Sequence, residues 1–257
     1  MNRACFVTLM LAWSTAAAAV QVQVSGAVAH PGHTELNGPA RLSDAAIAAQ
    51  PLPQAYMKGA AWLRPGLLAT QQRLKAGVLF DLASLQQRAL AGDDQALAAS
   101  SAALRSWIGA LPVTGRESPA LLDPRAVEVN APENHLLAAG DELFYPLRPE
   151  GIRVVGAVQQ ACTLPLVPLQ DARLYLGACP LGDAADRDSI YVIEPDGRVF
   201  VQGVALWNRS EAQALAPGAV IYVPLRESAA SKVDATMNSD IAAFLATQVL
   251  PGPERSP

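Results

Sequence analysis

The phrase Val22-Gln-Val-Ser-Gly-Ala-Val28 returns as Ile152-Arg-Val-Val-Gly-Ala-Val158, and no other feature of the chain restricts its fold as much. Each copy sets branched residues at alternate positions, the period of a β-strand with one buried face. Each also carries a Gly where a strand bends or admits a neighbouring backbone. A second pair of phrases, Gly140-Asp-Glu-Leu-Phe-Tyr-Pro-Leu147 and Gly218-Ala-Val-Ile-Tyr-Val-Pro-Leu225, follows leucines three residues earlier, Leu137 and Leu215. Opening and closing phrases thus bracket two units, Val22–Leu147 of 126 residues and Ile152–Leu225 of 74, so the first is longer by 52. The surplus falls on residues 55–110, which are rich in Ala, Leu and Gln and poor in β-branched residues, the composition of helix. The chain therefore reads as two copies of a small strand-rich domain, one with a helical insertion.

Residues 1–19 read as a targeting segment. Arg3 supplies the positive start, Ala4–Trp13 the apolar run, and Ala17-Ala-Ala19 the small residues that signal peptidase accepts. The mature chain is expected to begin near Val20. Cys5 lacks the small-residue context of a lipoprotein site, and no later apolar run reaches the roughly 18 residues of a membrane-spanning helix. Export leaves two cysteines in an oxidising compartment, Cys162 and Cys179. Their spacing suits a disulfide from an early hairpin to the segment after a short helix, and the competing reading is two buried thiols. No His or further Cys lies near them to complete a zinc site. The formal net charge of -4, with no basic stripe, argues against nucleic acid as a partner.

Taken in order, the first unit opens with strand 20–29 and a turn at His30-Pro-Gly-His33, whose paired histidines have no third metal ligand nearby. A short helix is expected at Arg41–Ile47 with Ser43 as N-cap, and Leu169–Leu176 occupies the matching place in the second unit. In the insertion, Leu74, Val78, Leu82 and Leu85 recur at helical spacing, as do Leu97, Ser101, Leu104, Ile108 and Leu111. Pro65 suits the first turn of the longer helix, Gly92 its stop, and Asp93 or Asp94 the cap of the next. Trp62, Phe80, Trp107 and Ile108 exceed what two helices can bury, which points to docking on the rest of the protein or else to a local cluster.

The chain re-enters the first unit through Pro112–Ser118 and a strand at 126–130. Ile190–Ile193, the turn Glu194-Pro-Asp-Gly197 and Val199–Val201 form a hairpin with Gly in the left-handed region. Residues 226–237 read as a linker. Asn238 or Ser239 would cap a last amphipathic helix on which Ile241, Phe244, Leu245 and Val249 share a face. Strand, hairpin, helix, strand and closing strand is the order of a β-grasp domain. The expected class is α+β, two tandem β-grasp (ubiquitin-like) domains. Their boundaries are 20–54 with 111–149 for the first, 55–110 for the helical hairpin, 150–227 for the second, and 228–257 for linker and C-terminal helix.

Catalytic signatures are missing from the sequence: there is no nucleophile elbow, no phosphate loop and no metal-binding carboxylate frame, and His135 stands alone. Arg116, Glu117 and Asp123 form the polar cluster that an enzyme reading would invoke, and a solvated loop explains the same cluster.

The phrase Val24-Ser-Gly-Ala-Val28, the turn pair Pro31 and Gly32, and Arg41-Leu-Ser-Asp-Ala45 resemble the ligand-binding β-grasp modules of polysaccharide export proteins. With the inserted hairpin, an Arg at the return from it, a final amphipathic helix and a signal peptide, the whole mature chain resembles the GfcC-like capsule biosynthesis family of Gram-negative bacteria. That resemblance implies a periplasmic, non-enzymatic protein of capsule or exopolysaccharide assembly and export, without cofactor or metal. Its partners would be the polysaccharide, the outer-membrane export machinery, or both, and its domains would be similar to the periplasmic rings of Wza-type export proteins. The family's central arginine beside a pocket maps to Arg116, next to Glu117. Its fixed donors suit a carboxylate or phosphate of an acidic glycan, and they equally suit an ion pair between domains, the role the residues favour. In the second unit Gln159-Gln-Ala-Cys162 replaces the Pro-Gly turn, which argues against ligand binding there.

Overall fold

The computed structural model describes residues 19–251; the expected targeting segment up to residue 18, Cys5 included, lies outside them. Two five-stranded sheets are built the same way. In the first domain β1 (Val20–Gly26), β2 (Gly32–Leu36), β3 (Ala61–Leu63), β4 (Arg116–Glu117) and β5 (Glu142–Tyr145) lie in the order β2-β1-β5-β3-β4. In the second, β6 (Gly151–Gly156), β7 (Cys162–Pro165), β8 (Ser189–Ile193), β9 (Val199–Gly203) and β10 (Val220–Val223) lie in the order β7-β6-β10-β8-β9. The recurring phrases are the two central strands, paired parallel in each sheet, β1 with β5 and β6 with β10. With α1 (Leu42–Ala49) crossing the first sheet and a 3₁₀ helix at Ala172–Gly177 crossing the second, the fold is α+β, two tandem β-grasp domains.

The repeated Gly has one physical reason in both copies. Gly26 (φ +88°) and Gly156 (φ +101°) end the first strand of each domain against the closing strand. A Cβ there would lie 2.1 Å from the Tyr145 carbonyl oxygen and 2.2 Å from that of Val223. The next amide then donates to the same oxygen, Ala27 to Tyr145 at 2.7 Å and Ala157 to Val223 at 2.9 Å.

The helical hairpin, α2 (Leu68–Ala91) and α3 (Gln95–Ala110), joins β3 to β4, the place taken in the second domain by the turn Glu194–Arg198. Asp94 caps α3 by accepting from the Leu97 amide at 3.0 Å, and Gly92 closes α2. Residues 55–67 correct the helical reading of that stretch, because they hold two 3₁₀ turns and strand β3. Three residues are too few to show a period, and both faces of β3 are covered, so no alternation marks it. Trp62 belongs to this strand and is fully buried with Leu143 and Tyr145 in the first core.

Val78, Leu82 and Leu85 of α2 and Leu97, Leu104 and Ile108 of α3 join the core of the second domain, not of the domain that carries them. The docking expected from the apolar surplus is thus made across the domain boundary. Phe80 departs from it at 70% exposed, since two residues from Val78 and from Leu82 place it on the opposite side of α2. Three local readings also change. Residues 124–129 form α4 (Pro124–Val129), not a strand, because Asp123 accepts from two amides and Pro124 opens the turn. Ser43 lies inside α1, exchanging hydrogen bonds with Asn134, while the Arg41 amide donates to Asp44 at 2.7 Å. The stretch 226–237 contains α5 (Glu227–Ala230).

The last helix, α6 (Met237–Ala246), buries Ile241, Phe244 and Leu245 against the second sheet and α2. Asn238 does not cap it. It is buried, accepting from the Tyr222 hydroxyl and donating to the Leu225 carbonyl and to Glu227. Val249 lies beyond the helix and packs on Ala61, Leu63 and Phe144 of the first sheet. Among the described residues no helix is long and apolar enough to cross a membrane.

Candidate functional site

Arg116 is placed by the hairpin. Gln71 of α2 is buried and grips the returning chain at two points, accepting from the Gly115 amide at 2.8 Å and donating to the Arg116 carbonyl at 2.9 Å. Gly115 (φ +73°) closes on the Arg64 carbonyl, where a Cβ would sit 2.5 Å away. Pairing of Arg116 with Leu63 then turns the guanidinium away from the first core. There it donates from Nη1 to the carbonyls of Gln248 (2.8 Å) and Ala246 (3.5 Å), and from Nη2 to that of Pro195. Arg116 therefore bridges the β8–β9 turn and the chain leaving α6. The side chain is 4% exposed, and burial pulls its pKa down to about 10, so it stays charged at neutral pH. Among the described residues no carboxylate lies within ion-pair distance of it, so carbonyl dipoles take the place of the expected ion pair.

Glu117 and Asp123 do not join Arg116. Glu117 points to the other side of β4 and pairs with Arg64 at 2.7 Å, and the Arg64 guanidinium lies over the Trp62 ring at 4.3 Å. Asp123 is spent on capping α4. The Cys162–Cys179 disulfide is formed, with a Cα separation of 6.0 Å, and ties β7 to the end of the 3₁₀ helix. His30 and His33 flank an exposed hairpin turn, and no group of three His, Cys, Asp or Glu among the described residues is disposed to hold a metal.

A cavity of about 560 Å³ opens beside Arg116. One wall is a single row across the second sheet, Thr163, Arg153, Val220 and Ile193, neighbours in register on β7, β6, β10 and β8. The facing wall is the end of α6 and the chain after it, Leu245 to Pro251, and Glu150 and Glu194 stand at the margins. Glu194 is 4% exposed and paired with Lys58 of the first domain at 2.9 Å. A second cavity of about 530 Å³ shares this segment, Arg153 and Val220 with the first and extends to Leu63, Trp107, Leu111 and Glu142. Residues 245–251 thus run as a partition between the outer faces of the two sheets. Apolar walls with a few convergent charged groups suit binding of a polar ligand that also offers apolar surface.

Sequence reasoning singled out Arg116 but missed Gln71, Arg153, Glu194 and Gln248. Arg153 left one trace, a charged residue inside the most regular strand phrase of the chain. For Gln71, an ordinary polar residue on a helix, and Gln248, one just beyond another, there was none.

Comparison with known proteins agrees with this architecture. The model of the N-terminal domain of capsule biosynthesis protein GfcC matches residues 16–148, and that of the GfcC C-terminal domain matches residues 160–250. The uncharacterized protein YjbG of Escherichia coli (strain K12) is 34% identical over 190 residues, covering 73% of this chain and 76% of its own length. Two matched domains over nearly all of the described chain, in the order the two sheets follow, leave one conclusion: the chain belongs to the capsule biosynthesis GfcC family.

Proposed function

We propose that this member of a capsule biosynthesis family is a periplasmic, non-enzymatic protein that acts in assembly or export of capsule or a related exopolysaccharide by binding glycan. The observation that carries the reading is the cavity beside Arg116, where Arg153 stands exposed on the sheet wall. A guanidinium on this wall, beside the Thr163 hydroxyl, recognises the carboxylate or phosphate of an acidic sugar, and the apolar strip of Val220 and Ile193 accepts a sugar-ring face. Of the two carboxylates at the cavity's margins Glu194 is engaged by Lys58, which leaves Glu150 and the Thr163 hydroxyl as the groups a turnover reading would have to use. The disulfide supports an oxidising compartment.

Calorimetry on purified protein with acidic oligosaccharides from the host's own surface polymer tests this. The expected result is saturable binding that Arg153→Ala weakens about tenfold or more, the loss of one charge-assisted contact. Absence of binding to any such oligosaccharide, together with binding to an export protein, would replace it with a scaffold role.

A further inference from the structure

Each sheet has two edges, and three of the four are blunted. β2 carries His33 and Glu35, β7 ends in Pro165 and is tied by the Cys162 disulfide, and β4 is two residues long with Arg116 buried. These are the usual devices that stop a strand from recruiting another. β9 has none of them. Its sequence Val199-Phe-Val-Gln-Gly203 holds no charge and no Pro, and Val199, Phe200 and Val201 are all exposed.

The register fixes which backbone groups this edge offers. Glu194 donates to the Arg198 carbonyl and Val204 to that of Asp188, each at 2.8 Å, so residues 198, 200, 202 and 204 turn their peptide groups toward β8. Residues 199, 201 and 203 face outward. Gly203 is satisfied by Ser210, whose amide donates to its carbonyl at 3.1 Å and whose hydroxyl accepts from its amide at 2.9 Å. Among the described residues the amides and carbonyls of Val199 and Val201 have no partner in the protein.

We propose that the β9 edge pairs antiparallel with the β9 edge of a second copy of this chain, about a two-fold axis at Phe200. The free groups are themselves the argument for that partner. Val199 and Val201 are symmetric about Phe200, so in this register each exchanges both hydrogen bonds with the other residue of the second copy. All the open groups are satisfied and none is left over. Phe200 then lies directly opposite its own copy in a non-hydrogen-bonded pair, with Cα atoms about 4.5 Å apart. An aromatic cross-strand pair there covers the ring that is now exposed. The ladder stops at Gly203, already taken by Ser210, and at the turn through Gly197, so no other register satisfies as many groups. This pairing joins the two second-domain sheets into one and is independent of what the cavity binds.

Sedimentation equilibrium on the purified oxidised protein over a concentration series tests it, with Val201→Pro and Val201→Lys beside the wild type. Both changes fall on an outward-facing residue and leave the β8 ladder intact, which an unchanged near-ultraviolet spectrum confirms. Wild type is expected to approach twice the monomer mass and both variants to stay at monomer mass. For the register, Phe200→Cys is expected to form an interchain disulfide under mild oxidation, because its Cα separation falls in the bonding range, whereas Val199→Cys and Val201→Cys do not. A wild type that remains monomeric, a dimer that survives Val201→Pro, or equal crosslinking of all three cysteine variants would overturn the proposal.

Discussion

The Arg116 guanidinium donates to the Gln248 carbonyl at 2.8 Å, joining a strand of the first domain to the chain that follows the last helix of the second. Everything around the cavity is arranged about that bond. α2 fixes Arg116 through Gln71, the β8–β9 turn supplies the Pro195 carbonyl, and the partition between the two sheets is pinned where Arg116 reaches it.

Removing the side chain takes the donor from the Pro195 and Gln248 carbonyls and leaves Ala246 only the Ser118 hydroxyl. Arg116→Ala is expected to destabilise the protein by about 3 kcal/mol and to speed amide exchange across residues 245–251. Arg116→Lys should recover only part of this, since one ammonium does not span three carbonyls as a planar fork does. Denaturant titration and exchange mass spectrometry measure both.

The repeated glycines leave no room for a side chain. Gly26→Ala and Gly156→Ala each drive a Cβ into a carbonyl oxygen of the neighbouring strand and are expected to cost at least about 4 kcal/mol. Gly66→Ala, at an open position, serves as the control and should leave the melting temperature nearly unchanged.

The hairpin belongs energetically to the domain it docks on. Leu82→Ala, at a fully buried position of α2, is expected to cost about 2 to 5 kcal/mol. Exchange protection should fall in α6 as well as in α2, because the two helices pack together. A loss confined to the hairpin would contradict this.

Alkaline pH should loosen the fold. Burial, with help from Glu194 and Asp196 and against Arg148, pushes the Tyr56 phenol up to about 12, and burial shifts Tyr145, Tyr191 and Tyr222 in the same direction. The folded protein therefore holds these protons more tightly than the unfolded chain, whose tyrosines titrate near 10. Their contribution is complete below pH 10 and is lost as pH rises through the folded values. Stability measured from pH 9 to 12 should fall, and Tyr56→Phe should fall less steeply.

How much of this was legible depended on length and pattern. The central strands could be read because each pairs a repeated alternation with a Gly that its partner strand requires. The hairpin could be read because two helices of this length display their spacing fully. β3 and β4, at three and two residues, show no period, and Trp62 looked like surplus on a helix until the sheet claimed it. Arg116 stood out at the return from the insertion. Its actual partners are main-chain carbonyls, which no side-chain pattern encodes.

The most direct measurement is surface polysaccharide on cells lacking this protein, compared with the repeat units held inside them. A role in assembly or export predicts that surface polymer is lost while internal precursors persist, and that the wild-type chain restores it. Surface and internal pools both unchanged would contradict that role.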